Sequence, residues 1–326
     1  MTTTVEGVVH PEDLGIVAMC ENMLYGLQGW ENDLLVTFDR PKAYAAIASS
    51  LIEFKDAGGK TVVDSSGILL GRDAELLMDL ASSAGINIIA STGFGSQDGI
   101  PGHFLLPPMK SEMRVPDADY LADMFYDELT EGMVVPGMRR TKIKAGIVKA
   151  ASSWDQITEP EERSVRGAAL AAKRGGVVLI ITGSTNQVRP LLEIVLQEGL
   201  EADRIVVGHC DDGRAVNLER DKEIAKKGTY VAYDHIGWED SSVPYGMPDE
   251  QRVELVKAMV EAGFAKRIIL SCSAIGHAID VPQPKHSFDH LLRSFVPKLK
   301  KANVPSHVID TILIENPKRI LTSRTA

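Results

Sequence analysis

Lys149, His209 and the pair Asp234-His235 are the residues of this chain best suited to acid–base work, and Cys20 is its candidate thiol nucleophile. A lysine amine becomes a base or a Schiff-base nucleophile once desolvation lowers its pKa. An imidazole such as His209, which precedes Cys210-Asp211-Asp212, can orient or protonate a substrate near neutral pH. Cys20 would need His209 or Lys149 beside it to become a thiolate, since a buried cysteine otherwise acts as a small apolar filler. Packing is the expected role of Cys210 and Cys272. His286 and His290 lie one helical turn apart, a spacing that can seed a metal site, but no third ligand accompanies them. They read as the solvated start of the last helix. Gly93 to Gly99 and Gly58-Gly59-Lys60-Thr61 only mimic phosphate loops, because neither is followed by a helix. No G-x-S-x-G elbow is present.

Eight short β-branched runs must position these groups. They are 15–20, 60–66, 86–92, 143–150, 177–183, 204–209, 229–235 and 267–273. Each is apolar on successive positions, as strands buried on both faces are. Helical patterns separate them at 41–57, 74–84, 117–130, 159–173, 188–198, 218–227, 248–262 and 288–302. Gly85, Gly175, Gly228 and Gly263 mark four helix ends. Eight strand–helix units predict a (β/α)8 TIM barrel, one domain over residues 1–326. In that fold the active site lies at the C-terminal ends of the strands. Those ends bring Cys20, Asn22, Asp64, Lys149, Gly183, His209, His235, Cys272 and Ser273 towards one mouth. The connections 93–116 and 237–247 read as loops over it. Phe94, Phe104, Leu105 and Leu106 predict an apolar rim, with Lys110 and Arg114 the few charges nearby and His103 a further lining candidate.

Composition narrows the partners. Lys and Arg number 35 against 45 Asp and Glu, a net charge of −10, which leaves no electrostatic footprint for nucleic acid or an anionic membrane. The three cysteines are too few and too scattered for a disulfide framework and favour a reducing, cytoplasmic setting. No apolar run approaches the roughly 20 residues of a membrane helix. The N-terminus has no basic stretch followed by an apolar one, so no signal peptide is expected.

Several segments together resemble the phosphotriesterase-like lactonases of the amidohydrolase superfamily, from about His10 to Leu321. They are PEDLGIVAMCEN, AGIVKAASS, RIVVGHCDD, VAYDHIGW, FDHLLRSFVPKL and ILIENPKRIL. The resemblance implies an amidohydrolase-type barrel and a homodimer. It also implies hydrolysis by a hydroxide bridging two divalent metals, held by His-x-His on strand one, a carboxylated lysine on strand four, single histidines on strands five and six, and an aspartate on strand eight. Carried over position by position, Lys149 matches the bridging lysine and His209 the strand-six ligand. Cys20 and Asn22 replace the His-x-His pair, Gly183 the strand-five histidine, and Ser273 the strand-eight aspartate. Asp234-His235 retains the family's strand-seven pair.

Zinc-like sites need three or four N, O or S ligands held together, so no metal and no other cofactor is expected. The expectation is a metal-independent hydrolase or lyase acting on a small, largely apolar carbonyl compound through Lys149 and His209. Cys20, Asp234 and His235 would assist, and Asn22, Asp64, Gly183, Cys272, Ser273, Phe94 and His103 would contact the substrate. The alternatives are a residual mononuclear-metal ester, lactone or amide hydrolase, and a non-catalytic binding paralogue or active-site mutant. Restoring all four lost ligands together is expected to rebuild metal binding.

Overall fold

The computed structural model describes residues 1–105, 116–135, 138–153, 155–184, 186–214, 216–240, 242–243 and 245–324. Leu106, Lys110 and Arg114 lie outside the described residues.

The eight apolar runs form eight parallel strands: β1 (Ile16–Gly26), β2 (Gly59–Asp64), β3 (Asn87–Thr92), β4 (Ile147–Ala151), β5 (Leu179–Thr182), β6 (Ile205–Val207), β7 (Tyr230–Tyr233) and β8 (Ile268–Leu270). They pair in chain order, and after a break at 271–274 the eighth strand resumes as Ile275–Ile279, which pairs in parallel with β1 and closes the barrel. Alternate residues divide between two cores, as the two-residue strand period requires. Val17, Val63, Ile89, Ile147, Ile180, Val206 and Ile269 fill the barrel interior, while Ala18, Val62, Ile88, Val148, Ile181, Val207 and Ile268 face the helices.

A register shift between Ala18 and Glu21 interrupts the pairing of β1 with β2. One extra residue reverses the facing of everything after it. Cys20 and Asn22 therefore line the central cavity, while Glu21 turns into the seam with the broken eighth strand.

The helices start on side-chain caps. Asp39, Asp73 and Asp117 accept from first-turn amides, and Thr158 with Glu161 forms a reciprocal capping box. Gly85 closes its helix in the left-handed region, as expected, but the helix at Glu159–Gly175 uses Gly176 for this purpose instead of Gly175. Further elements lie outside the eight strand–helix units. An antiparallel hairpin pairs Thr2–Thr4 with Gly7–Val9, and a final helical stretch runs from Ser306 to Leu321. No helix among the described residues is long and apolar enough to cross a membrane.

Candidate active site at the barrel mouth

A cavity of about 330 Å³ opens at the C-terminal ends of the strands. Its lining includes Cys20, Asn22, Lys149, Gly183, His209, Asp234, His235 and Ser273, so eight of the candidates converge. Four others stand apart from it. Asp64 is buried beneath, where it accepts from the Ser66 hydroxyl at 2.6 Å and the Met23 amide at 3.3 Å. Cys272 faces the outer core, because the period-two alternation turns it away from Ser273. Phe94 is buried in the same core against Phe104 and Phe125. His103 lies on the short exposed helix Gly102–Leu105 with its ring edge-on to Phe104. Phe94 and His103 are corrected as lining residues: the wall instead combines Ser65, Ser96, Ser152, Thr182 and Ser184 with the apolar Leu70, Ile180 and Ile275.

Lys149 projects from β4 between two buried carboxylates. Burial pulls its amine down to about 8, against the opposing pull of Asp64, Cys20 and Asp234. Its stem fits because Gly67 has no side chain; a Cβ there would lie 2.7 Å from Lys149 Cδ. Its Nζ has only a long contact, 3.5 Å, to the Ser66 carbonyl. One oxygen of Asp64 and one of Asp234, both buried, have no hydrogen-bond partner among the described residues.

His209 leaves β6 with φ +59, a left-handed conformation uncommon for a non-glycine residue. Asp234 holds it there: one carboxylate oxygen accepts from the His209 backbone N–H at 2.7 Å and lies 3.3 Å from ring Nδ1. Burial alone would lower the His209 pKa, but the Asp234 carboxylate outweighs it and the net shift is upward. Burial likewise opposes ionisation of Asp234, yet His209 keeps that carboxyl below its usual range. The two groups therefore form a pair close to the Lys149 amine in which each favours the charged form of the other. Asp211 supports it from behind by accepting from the backbone N–H groups of Asp234 and His235 and from Arg252 Nε.

Two features escaped the sequence reading. Glu21 is fully buried and accepts from the Ser271 hydroxyl (2.6 Å), the Cys272 amide (2.9 Å) and the Ala274 amide (2.6 Å), pinning the break that presents Ser273. Burial raises its carboxyl to about 7. A charged residue inside an otherwise apolar strand was the available signal. Trp238 and Tyr245 form one wall, with Tyr245 stacked on His235 at 4.7 Å and His235 on His209 at 4.3 Å. His286 also departs from the solvated reading: Trp238 packs edge-on to it at 5.0 Å, and burial lowers its pKa to about 4.

The thiolate expectation for Cys20 is corrected. Burial, then the nearby Asp234 and Glu21 carboxylates, push its thiol well above the ordinary range, so it is a neutral thiol.

The residues present do not fit a binuclear metal centre. Gly183 offers no donor, and a Cβ there would lie 2.6 Å from Ser152 Oγ and 2.8 Å from Leu191 Cδ1, so its neighbours fill the space a ligand would need. The ligand atoms of His209, Asp234 and His235 do lie within 4.8 Å of one another. However, the two rings are stacked only 17° from parallel. A metal ion lies in the plane of each imidazole that ligates it, about 2.0–2.1 Å from nitrogen, and two such planes do not meet near these rings.

A family model described as the phosphotriesterase family matches residues 1–321. The chain is 28% identical to a phosphotriesterase homology protein of Mycobacterium tuberculosis, covering 97% of this chain and 96% of that protein. It is 29% identical to an aryldialkylphosphatase of Saccharolobus solfataricus, over 96% of this chain and 97% of the relative. Among solved structures, a triple mutant of the organophosphorus hydrolase from Deinococcus radiodurans superposes with a TM-score of 0.87 at 25% identity, covering 99% and 97% of the two chains.

Proposed function

The chain belongs to the phosphotriesterase family, and from that premise we propose that it transforms a small carbonyl compound through Lys149 and His209 without the family's two metals. The carrying observation is the Lys149 amine, desolvated to about 8 at the centre of the mouth beside the His209–Asp234 unit. With that pKa roughly a tenth of the amine is unprotonated at pH 7, enough for a base or nucleophile. His209, whose pKa is raised by the Asp234 carboxylate, is the complementary acid in this reading.

Two routes use the same groups. As a base, Lys149 takes a proton from water attacking an ester, lactone or amide carbonyl, and His209 protonates the leaving group. As a nucleophile, the amine adds to an aldehyde or ketone, water departs with a proton from His209, and the protonated imine accepts the electron pair of an adjacent breaking bond, whose other fragment leaves as a proton, carbon dioxide or a carbonyl compound; protonation of the enamine and hydrolysis then free the amine. Borohydride reduction with a panel of small carbonyl compounds separates them. A reduced adduct on Lys149 supports the imine route, and turnover without an adduct supports the base route. Full turnover by Lys149→Met would overturn both.

A single bound cation is the second reading, favoured by the closeness of the His209, Asp234 and His235 ligand atoms. It requires one of the stacked rings to turn. Activity that appears only with an added divalent metal, and is lost in Asp234→Asn, would support it.

A further inference from the structure

We propose that the substrate carries a carboxylate beside its reactive carbonyl, and that Ser152 anchors that group in a subsite between β4 and β5. This rests on the Lys149 reading and deepens it. Ser152 is 7% exposed, and its hydroxyl is a buried polar group with no hydrogen-bond partner among the described residues. A buried hydroxyl without a partner is costly unless a ligand satisfies it. It stands in the cavity wall three residues beyond Lys149, with its oxygen occupying the space a side chain at Gly183 would need.

The surroundings favour an anion. Lys149 supplies a positive charge on the adjoining strand β4, and among the described lining residues the one carboxylate is Asp234, one oxygen of which is engaged with His209. The helix Val188–Gln197 starts just beyond β5. In this barrel topology its N-terminus, the positive end of its dipole, lies on the mouth side. A carboxylate there would accept from Ser152 and lie within the field of Lys149, leaving an adjacent carbonyl carbon for the amine. A small oxo acid, or an acyl compound bearing a carboxylate, fits these requirements.

The test compares two unreactive probes of nearly equal shape, propanoate and propanamide, by calorimetric titration of the intact protein. Propanoate is expected to bind about tenfold or more tighter than propanamide, a preference that Ser152→Ala reduces several-fold, as loss of one hydrogen bond to a charged group implies. Gly183→Ala, which places a methyl against the Ser152 hydroxyl, should weaken propanoate binding in the same direction and covers the case in which Ser152→Ala fails to fold. Equal affinity for the two probes in the unaltered protein, or a preference that survives Ser152→Ala undiminished, overturns the subsite. The probes do not react with Lys149. A carboxylate preference that depends on Ser152, without any adduct or turnover dependent on Lys149, would therefore defeat the proposed chemistry and leave the subsite standing.

Discussion

Ser152 stands over Gly183 so closely that a Cβ on the glycine would lie 2.6 Å from the serine hydroxyl oxygen. Real Cβ contacts are not that short, so any side chain at 183 must displace Ser152, Leu191 or both. The pocket has thus closed around the position that the resemblance aligns with a metal-binding histidine.

Restoring the lost ligands is therefore harder than the sequence alone suggests. The combined Cys20→His, Asn22→His, Gly183→His and Ser273→Asp variant is expected to bind well under two zinc ions per chain by elemental analysis. Adding Ser152→Gly should raise the metal content by removing one of the two obstructing contacts. Gly183→Ala alone should destabilise the protein by about 1–3 kcal/mol in urea unfolding, a typical overpacking penalty. Unchanged stability would mean the contact relaxes at no cost.

Lys149 should leave a signature in the pH dependence of stability. Its pKa falls from the ordinary 10.5 to about 8 on folding. Between those values the unfolded chain holds a proton that the folded chain has released, so the lysine's contribution to stability rises with pH across that window. Below about pH 8 the desolvated ammonium is a constant penalty, at most roughly 3 kcal/mol. Lys149→Met should accordingly be more stable than the unaltered protein at pH 7, with the advantage shrinking towards pH 10. A constant difference across pH would contradict the lowered pKa.

The His209–Asp234 unit predicts a graded loss of activity. Asp234→Asn removes the carboxylate that holds both the backbone and the ring of His209. It should lower kcat by about 100-fold and shift the acidic limb of the pH profile downward, because the imidazolium loses its counter-charge. His209→Asn keeps a residue that tolerates the left-handed backbone, so the fold should survive while kcat drops about 10–100-fold. Identical pH profiles in Asp234→Asn and the unaltered protein would remove this pair from the chemistry.

Cys20 is expected to be dispensable for catalysis. Its thiol is neutral and 3% exposed, so iodoacetamide should react slowly at pH 8 and Cys20→Ser should retain most activity. Rapid alkylation that abolishes turnover would restore the thiol to the mechanism.

Much of this architecture is legible in the chain. The β-branched runs and glycine stops place seven of the eight strands and all eight barrel helices to within a few residues, because burial on both faces leaves a continuous apolar pattern, whereas β1 continues to Gly26, beyond its apolar run. The strand ends then deliver Lys149, His209, Asp234 and His235 to one mouth. What the letters do not carry is facing. A one-residue shift in β1 decides that Cys20 and Asn22 face the cavity while Glu21 binds the eighth strand. Phe94 reads as an apolar lining residue but packs outside the barrel, because apolar character does not say which of two cores a side chain enters. Ser152 was invisible as a functional candidate, since its significance depends on an absent side chain 31 positions away, at Gly183.

The central claim is that Lys149 is a free amine in a site that does not hold two metals. Native mass spectrometry of the protein, produced in medium supplemented with zinc, manganese and cobalt and bicarbonate, tests this most directly. The account predicts the mass of the unmodified chain, with less than one metal per chain and an unmodified amine on the Lys149 peptide. A mass that includes two divalent ions and a carbamate, lost together on chelation, would contradict it.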